Sequence, residues 1–316
     1  MTSRAFKQVD VFTATPYYGN PLAVVLDGEG LSTEDMQRFA QWTHLSETTF
    51  VLPPSPEAKA AGADYHVRIF TPGGELPFAG HPTLGTCHAW LQARATAEQP
   101  RSTVFLQECT VGLVKIRRDG SRLALAAPPL KRSNPSPSVL ARVAAALGLK
   151  ADQIIAAQLL DNGPVWLGLL LDSRQTVLQL TPDHLTLKNL GLSVGVASID
   201  AAQTAPVLIA RASREARAFQ AHPTAAPEWI GPADTPEVEV RAFAAPMGVN
   251  EDPVTGSFNA SLAQWLIADQ HAPTAYVAAQ GTCVGRAGRV HITQDNTGQV
   301  WVGGDCVTCI DGHVTL

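Results

Sequence analysis

Two short stretches of this chain set a glycine beside an ionisable residue and a proline just ahead of an apolar run: Gly80-His81-Pro82-Thr83 and Asp252-Pro253-Val254-Thr255-Gly256-Ser257. Each is expected to be a loop that enters a helix. The unpaired amides of a helix N-terminus, with the macrodipole behind them, attract anions, so two such ends facing each other would grip a carboxylate. His81, between Gly80 and Pro82, is expected to have its pKa lowered by the positive helix end, leaving a neutral imidazole that donates or accepts. Asp252 can accept from a substrate hydroxyl or amine, and Ser257 offers a hydroxyl and its amide. Taken singly, these residues have ordinary roles, because Gly80 and Gly256 permit tight turns and Asp252 and Ser257 cap helices. The pairing of the two loops favours a site.

Other chemistry is poorly supported. Cys306-Val307-Thr308-Cys309 invites a metal or redox reading, but residues three apart in a strand point to opposite faces, and no further ligands stand at zinc spacing. These cysteines are expected to be structural, and no metal is expected. Gly28-Glu29-Gly30 lacks the third glycine of a dinucleotide fingerprint, since Thr33 stands there, and no loop ends in Gly-Lys-Ser/Thr. Ser257 is not in a nucleophile elbow, because Thr255 and Asn259 occupy the glycine positions.

The chain of 316 residues carries 23 Lys+Arg against 28 Asp+Glu, a formal charge of −5, which gives no basic footprint for nucleic acid. Charged residues make up 16% and apolar ones 45%, enough for a large core. The longest apolar stretch, around Val165-Trp166-Leu167, is broken at Gly168 and ends at Asp172. That is short of the roughly 18–20 residues of a membrane span, so no membrane partner is expected. The start, Met1 to Lys7, lacks a secretory apolar core, and five cysteines (87, 109, 283, 306, 309) suit reduced thiols, so a cytoplasmic location is expected.

The elements that must position the two loops are mostly short strands. Residues 6–14, 21–26, 48–52 and 64–70 have strand character, and Ser32 with Asp35 opens a helix that buries Met36, Phe39 and Ala40. Residues 83–95 have few polar positions, as in a helix buried on nearly all sides, and 257–268 repeat that composition. Four prolines between Pro128 and Pro137 mark a linker, giving domains 1–130 and 131–316, with terminal strands free to return to the first. In the second half, Ser138 is expected to cap residues 139–147, with Gly148 as C-cap. Thr181-Pro182 is expected to open a helix ending near Gly191, and strands are expected at 206–210, 238–244, 289–293 and 300–303. Arg68-Ile69-Phe70, a loop, Gly80 and a helix with Trp90 parallel Arg241-Ala242-Phe243, a loop, Gly256 and a helix with Trp265. That is the mark of an internal duplication, with two related halves facing each other.

Four ordered motifs then resemble the phenazine-biosynthesis PhzF family of the diaminopimelate-epimerase-like superfamily, over nearly the whole chain. They are Val9-Asp10-Val11-Phe12 with Gly19-Asn20-Pro21-Leu22-Ala23-Val24; Leu45-Ser46-Glu47-Thr48-Thr49-Phe50-Val51; Arg68-Ile69-Phe70-Thr71-Pro72 leading to Glu75-Leu76-Pro77-Phe78-Ala79-Gly80-His81-Pro82-Thr83-Leu84-Gly85; and Glu251-Asp252-Pro253-Val254-Thr255-Gly256-Ser257 with Gln280-Gly281 and Gly285-Arg286. The resemblance implies an α+β fold of two similar domains, each a curved, mostly antiparallel sheet around a central helix, with the active site between them. It implies a homodimer without a cofactor, acting on a small carboxylate by isomerising a cyclic dihydro-hydroxyanthranilate. By motif position Glu47 becomes the acid/base, His81, Asp252 and Ser257 its supporting groups, and Gly80 and Gly256 the anion-binding helix ends.

A carboxyl that removes and returns a proton needs a raised pKa, and Glu47, among Leu45, Phe50 and Val51, would gain one from partial burial. Without the motif it would be taken to start a strand or pair with a lysine. The rivals are a racemase of the same superfamily using two cysteines, for which the nearest thiol is Cys87 inside the helix, and a small-acid-binding protein without catalysis.

Overall fold

The computed structural model describes residues 2–94, 102–199 and 235–316. Its strands follow one plan twice. In the first half Ser3–Val11 runs antiparallel to Asn20–Val25, which is parallel to Thr48–Leu52, itself antiparallel to Tyr65–Thr71. Tyr65–Thr71 then pairs antiparallel with Gly74–Leu76 and parallel with Val104–Cys109, which leads into the meander Gly112–Asp119 and Arg122–Ala126. The second half repeats each pairing with the same sense. Ile154–Asp161 is antiparallel to Val165–Leu171, then come Ser193–Ile199 parallel and Val238–Ala244 antiparallel. Val238–Ala244 takes Val249–Asp252 antiparallel and Ala275–Gln280 parallel, and Gly288–Gln294 and Val300–Gly304 complete the meander.

The halves close on each other. Val300–Gly304 lies antiparallel to Arg122–Ala126, Lys131–Ser133 pairs with Ile154–Asp161, and the final strand Cys306–Thr315 runs along Ser3–Val11. The result is an α+β fold of two sibling units, each a sheet wrapped round a helix.

Those helices, Gly80–Arg94 and Gly256–Ala268, have no polar face to turn to water. Leu84, Cys87, Ala89 and Trp90 are buried in the first, and Phe258, Leu262, Trp265 and Leu266 in the second. Small residues set how close the sheet comes. A Cβ on Gly85 would meet Leu22 at 2.7 Å and Val11 at 2.8 Å, and one on Gly195 would enter the Phe258 ring at 2.1 Å. The first helix begins at Gly80, three residues before the expected start at Thr83, because Pro82 falls in the first turn, where its missing N–H has no helical partner to lose.

The duplication extends to side chains. The Arg68 guanidinium is bidentate to Glu75, at 2.7 and 2.6 Å, and lies 5.0 Å from the Phe70 ring centroid. Arg241 does the same with Glu251, at 2.9 and 2.8 Å, over Phe243 at 5.1 Å. Each pair ties the strand before a central helix to the hairpin that launches it.

Several local expectations need correction. Ser136, not Ser138, caps Pro137–Leu147, its hydroxyl accepting from Val139 N at 3.3 Å, since Pro137 is suited to the first helical position. Gly148 is the left-handed C-cap at φ 70°. Asp183, rather than Thr181-Pro182, starts the helix His184–Leu190, which ends on left-handed Gly191. Ser32 caps Thr33–Thr43, with Met36, Phe39 and Ala40 buried as expected. The strand expected at 206–210 lies outside the described residues, as does Ala95. Among the described residues no helix is long and apolar enough to cross a membrane.

Gly195→Ala is expected to cost about 1–3 kcal/mol by forcing Phe258 out of its rotamer. Gly312→Ala, where an added Cβ meets nothing within 4 Å, should stay within about 0.5 kcal/mol of wild type. Urea denaturation of the two variants checks the contrast.

Candidate active site

The paired plan brings three starting points to one place. Asn20 opens its strand, Glu47 immediately precedes the parallel strand Thr48–Leu52, and Gly80 opens the first central helix. The helix Thr33–Thr43 ends at His44 in the left-handed region, φ 55°, which turns the chain back so that Glu47 arrives at the sheet end. From the other half comes the turn Asp252 to Thr255, which leads into Gly256.

The two helix N-termini abut. A Cβ on Gly80 would sit 3.1 Å from Gly256 Cα, and one on Gly256 would sit 3.1 Å from both Gly80 Cα and His81 N. Only glycine at both positions permits this approach. Thr255, at the N-cap of the second helix, makes no side-chain cap bond.

Across this junction runs a polar network. Asn20 Nδ2 donates to Asp252 Oδ1 at 3.0 Å and to Val254 O at 2.9 Å, and lies 3.4 Å from His81 Nδ1. A donor beside Nδ1 places the ring hydrogen on Nε2. His81 Nε2 is 3.3 Å from Glu47 Oε2, yet neither atom has a hydrogen-bond partner among the described residues. Asp252 Oδ2 accepts from Thr255 Oγ1 at 2.5 Å. Gln280 braces that turn, its Oε1 accepting from Thr255 N at 3.0 Å and Asn259 Nδ2 at 2.8 Å, its Nε2 donating to Asp252 O at 3.0 Å. Ser257 Oγ accepts from Trp166 Nε1 at 3.2 Å, and Ser257 O from Asn162 Nδ2 at 3.0 Å.

Burial sets the electrostatics. The Glu47 side chain is 15% exposed. Desolvation pushes its pKa up to about 7, against a smaller lowering by Ser46. His81, 5% exposed, falls to about 4 through burial, with the Asp252 and Asp10 carboxylates opposing. The expected direction holds for His81, but the main cause is desolvation rather than the helix end. Asp252 rises to about 6, again by burial first, opposed by His81 and reinforced by Glu47. At neutral pH the imidazole is uncharged, while the Glu47 carboxyl is poised between its forms.

The network joins all six residues singled out from the sequence: Glu47, Gly80, His81, Asp252, Gly256 and Ser257. Two ordinary roles considered for them are not what the structure shows. Asp252 and Ser257 do not cap the helix, since Thr255 holds the N-cap position and engages Asp252. Glu47 faces His81 rather than a lysine. The sequence reading passed over Asn20, Thr255, Gln280, Asn162 and Trp166. Asn20 and Gln280 stood inside quoted motifs, so motif membership was the available signal for those two. Asn162 and Trp166 gave none. The five cysteines are free thiols, Cys87 is fully buried beyond the first turn of its helix, and Cys306 and Cys309 lie in one strand. Among the described residues no group of three His, Cys, Asp or Glu is placed to hold a metal.

The raised pKa has a stability consequence. Glu47 keeps its proton to about 7 in the fold and to 4.5 ordinarily, so between these values the folded chain binds more protons and loses stability as pH rises. His81 acts oppositely between about 4 and 6.5. Glu47→Gln removes only the first effect. Its stability relative to wild type should therefore climb from pH 4.5 to 7, by up to about 3 kcal/mol, as read by urea denaturation at stepped pH.

Known proteins share both the fold and these positions in the chain. The family model described as phenazine biosynthesis-like protein, PhzC-PhzF, matches residues 9–312. Antisense-enhancing sequence 1 of Schizosaccharomyces pombe is 33% identical over 331 residues, covering 99% of each chain. Trans-2,3-dihydro-3-hydroxyanthranilate isomerase of Pseudomonas aeruginosa is 32% identical over 319 residues, covering 98% of each. The crystal structure of the Bacillus anthracis phenazine biosynthesis protein of the PhzF family matches with a TM-score of 0.76 over 100% of both chains at 21% identity, a likeness of fold. The chain with this duplicated fold and doubled helix-end junction belongs to the phenazine biosynthesis-like, PhzC-PhzF family.

Proposed function

We propose that this protein is an isomerase that moves a proton between two carbons of a small carboxylated ring of the dihydro-hydroxyanthranilate kind, with Glu47 as both acid and base. The observation that carries this reading is the Glu47–His81 pair: a carboxyl with its pKa near 7, 3.3 Å from an imidazole nitrogen that has no other partner, at the junction of two helix N-termini.

The chemistry balances on that carboxyl. Glu47 as carboxylate takes the proton as a ring C–H bond breaks, and the electron pair shifts along the conjugated system. The same proton then forms a C–H bond at the second carbon, and Glu47 ends as it began. No electron leaves the substrate, so the step needs no redox partner. A pKa near the working pH favours both halves of such a transfer. The neutral His81 presents its Nε2 hydrogen to a ring substituent or to the developing charge, and Asp252 accepts from an amine or hydroxyl. The amides at Gly80 and Gly256 hold the substrate carboxylate, where the paired dipoles favour negative charge. A two-cysteine racemase finds less support, because His81 and Ser257 follow the helix-end glycines and Cys87 is sealed in the core.

Two outcomes test the reading. With a dihydro-hydroxyanthranilate in deuterated water, NMR should show deuterium entering a ring carbon in wild type. Glu47→Gln should abolish turnover, by at least about 10²-fold, with ligand affinity kept; near-normal turnover would remove Glu47 from the mechanism. Because the carboxylate form starts the reaction, kcat/KM should rise as pH is raised through about 7, and this limb should be absent from the residual activity of Glu47→Gln.

A further inference from the structure

Ser257 is held from two sides by residues that the isomerase reading does not use. Trp166, on the strand Val165–Leu171, is 3% exposed, with its ring centroid 5.3 Å from that of Phe258. Its Nε1–H donates to Ser257 Oγ at 3.2 Å, while Asn162, 7% exposed, donates to Ser257 O at 3.0 Å. A serine hydroxyl has one hydrogen to give and lone pairs to receive. With the indole N–H on a lone pair and the carbonyl occupied, the Ser257 hydroxyl hydrogen finds no acceptor among the described residues. Asn162 Oδ1 is also buried without a partner.

We propose that Trp166 is a positioning residue that makes Ser257 a one-way hydrogen-bond donor, so that the joined helix ends accept a carboxylate and reject its neutral amide. The inference rests on the proposed seating of a carboxylate at Gly80 and Gly256. Every polar group facing that seat, the backbone amides and the Ser257 hydroxyl, then offers hydrogen. A carboxylate accepts at both oxygens, whereas a primary amide brings two hydrogens of its own that meet only donors, the kind of mismatch that a buried site penalises most. Without the indole N–H, the Ser257 lone pair would be free to receive one of those hydrogens, and the distinction would weaken. The first half offers no such device. At the matching helix start stands His81, and the strand Asn20–Val25 carries Leu22, Ala23 and Val24 where the second half has Trp166. The halves divide the work: proton chemistry on the first, anion selection on the second.

The test uses anthranilate and 2-aminobenzamide, matched in shape, with affinities measured by titration calorimetry. Wild type should prefer the carboxylate. In Trp166→Phe, which keeps an aromatic ring against Phe258, the carboxylate-to-amide affinity ratio should fall roughly tenfold, the size of one hydrogen bond to a charged group. Ser257→Ala should lower the ratio similarly, and the double variant should lose no more than Ser257→Ala alone. Equal losses for both probes, additive losses in the double variant, or no carboxylate preference in wild type would overturn the proposal. If Trp166→Phe does not fold, benzothienylalanine at position 166 replaces the indole N–H with sulfur in the same outline, and an unchanged ratio there is equally fatal. A shifted ratio in a protein that incorporates no deuterium would defeat the isomerase reading and leave this one standing.

Discussion

Two helix N-termini in van der Waals contact are an electrostatic burden that the rest of this molecule is arranged to carry. Each end behaves as about half a positive charge, and the Gly80–Gly256 contact brings both to one point. Nearby groups of opposite sign are the ones the structure supplies: the Asp252 carboxylate, bound by Asn20 and Thr255, and the Glu47 carboxyl beside His81. Burial holds both acids partly protonated, which leaves the junction short of negative charge. A ligand that brings its own carboxylate completes it. The glycines, the raised pKa values and the preference for an anion are thus one constraint seen from three sides.

Duplication supplies the frame and departure from it supplies the chemistry. Both halves contain the Arg–Glu pair over a phenylalanine that launches the central helix, so the helix starts are aimed in the same way. The residues at those starts differ. The first half places Glu47 ahead of its third strand, while the corresponding loop ahead of Ser193–Ile199 carries Gly191-Leu192. Asn20 and Asn162 both stand ahead of a second strand, but one reaches across to Asp252 and Val254 and the other stays with Ser257. A symmetric frame holds one asymmetric site.

What the sequence revealed followed from features with a local physical signature. A helix with almost no polar positions has to be wrapped, and that was readable for both central helices. Glycine beside an ionisable residue at a helix start pointed to His81 and Asp252. The meander strands Val104–Cys109 and Gly112–Asp119 were not read, because charged residues such as Lys115, Arg117 and Arg118 interrupt their pattern on a half-exposed sheet. Caps shifted where proline claims the first helical position, as at Pro137. Asn162 and Trp166 left no trace, since their role exists only once a distant helix start lies against them. The depressed pKa of His81 was foreseen, but its cause was not, because burial depends on packing that no short motif encodes.

The closing strands carry a history. Lys131–Ser133, which follows the first meander, lies on the opening strand of the second half, and Cys306–Thr315, which follows the second meander, lies on the opening strand of the first. Two separate copies of a half-length chain that traded their tails would produce this interlocked pattern. Fusing such copies end to end would free each to diverge without losing its companion, which is how one lobe can keep a glutamate that the other has no need to match.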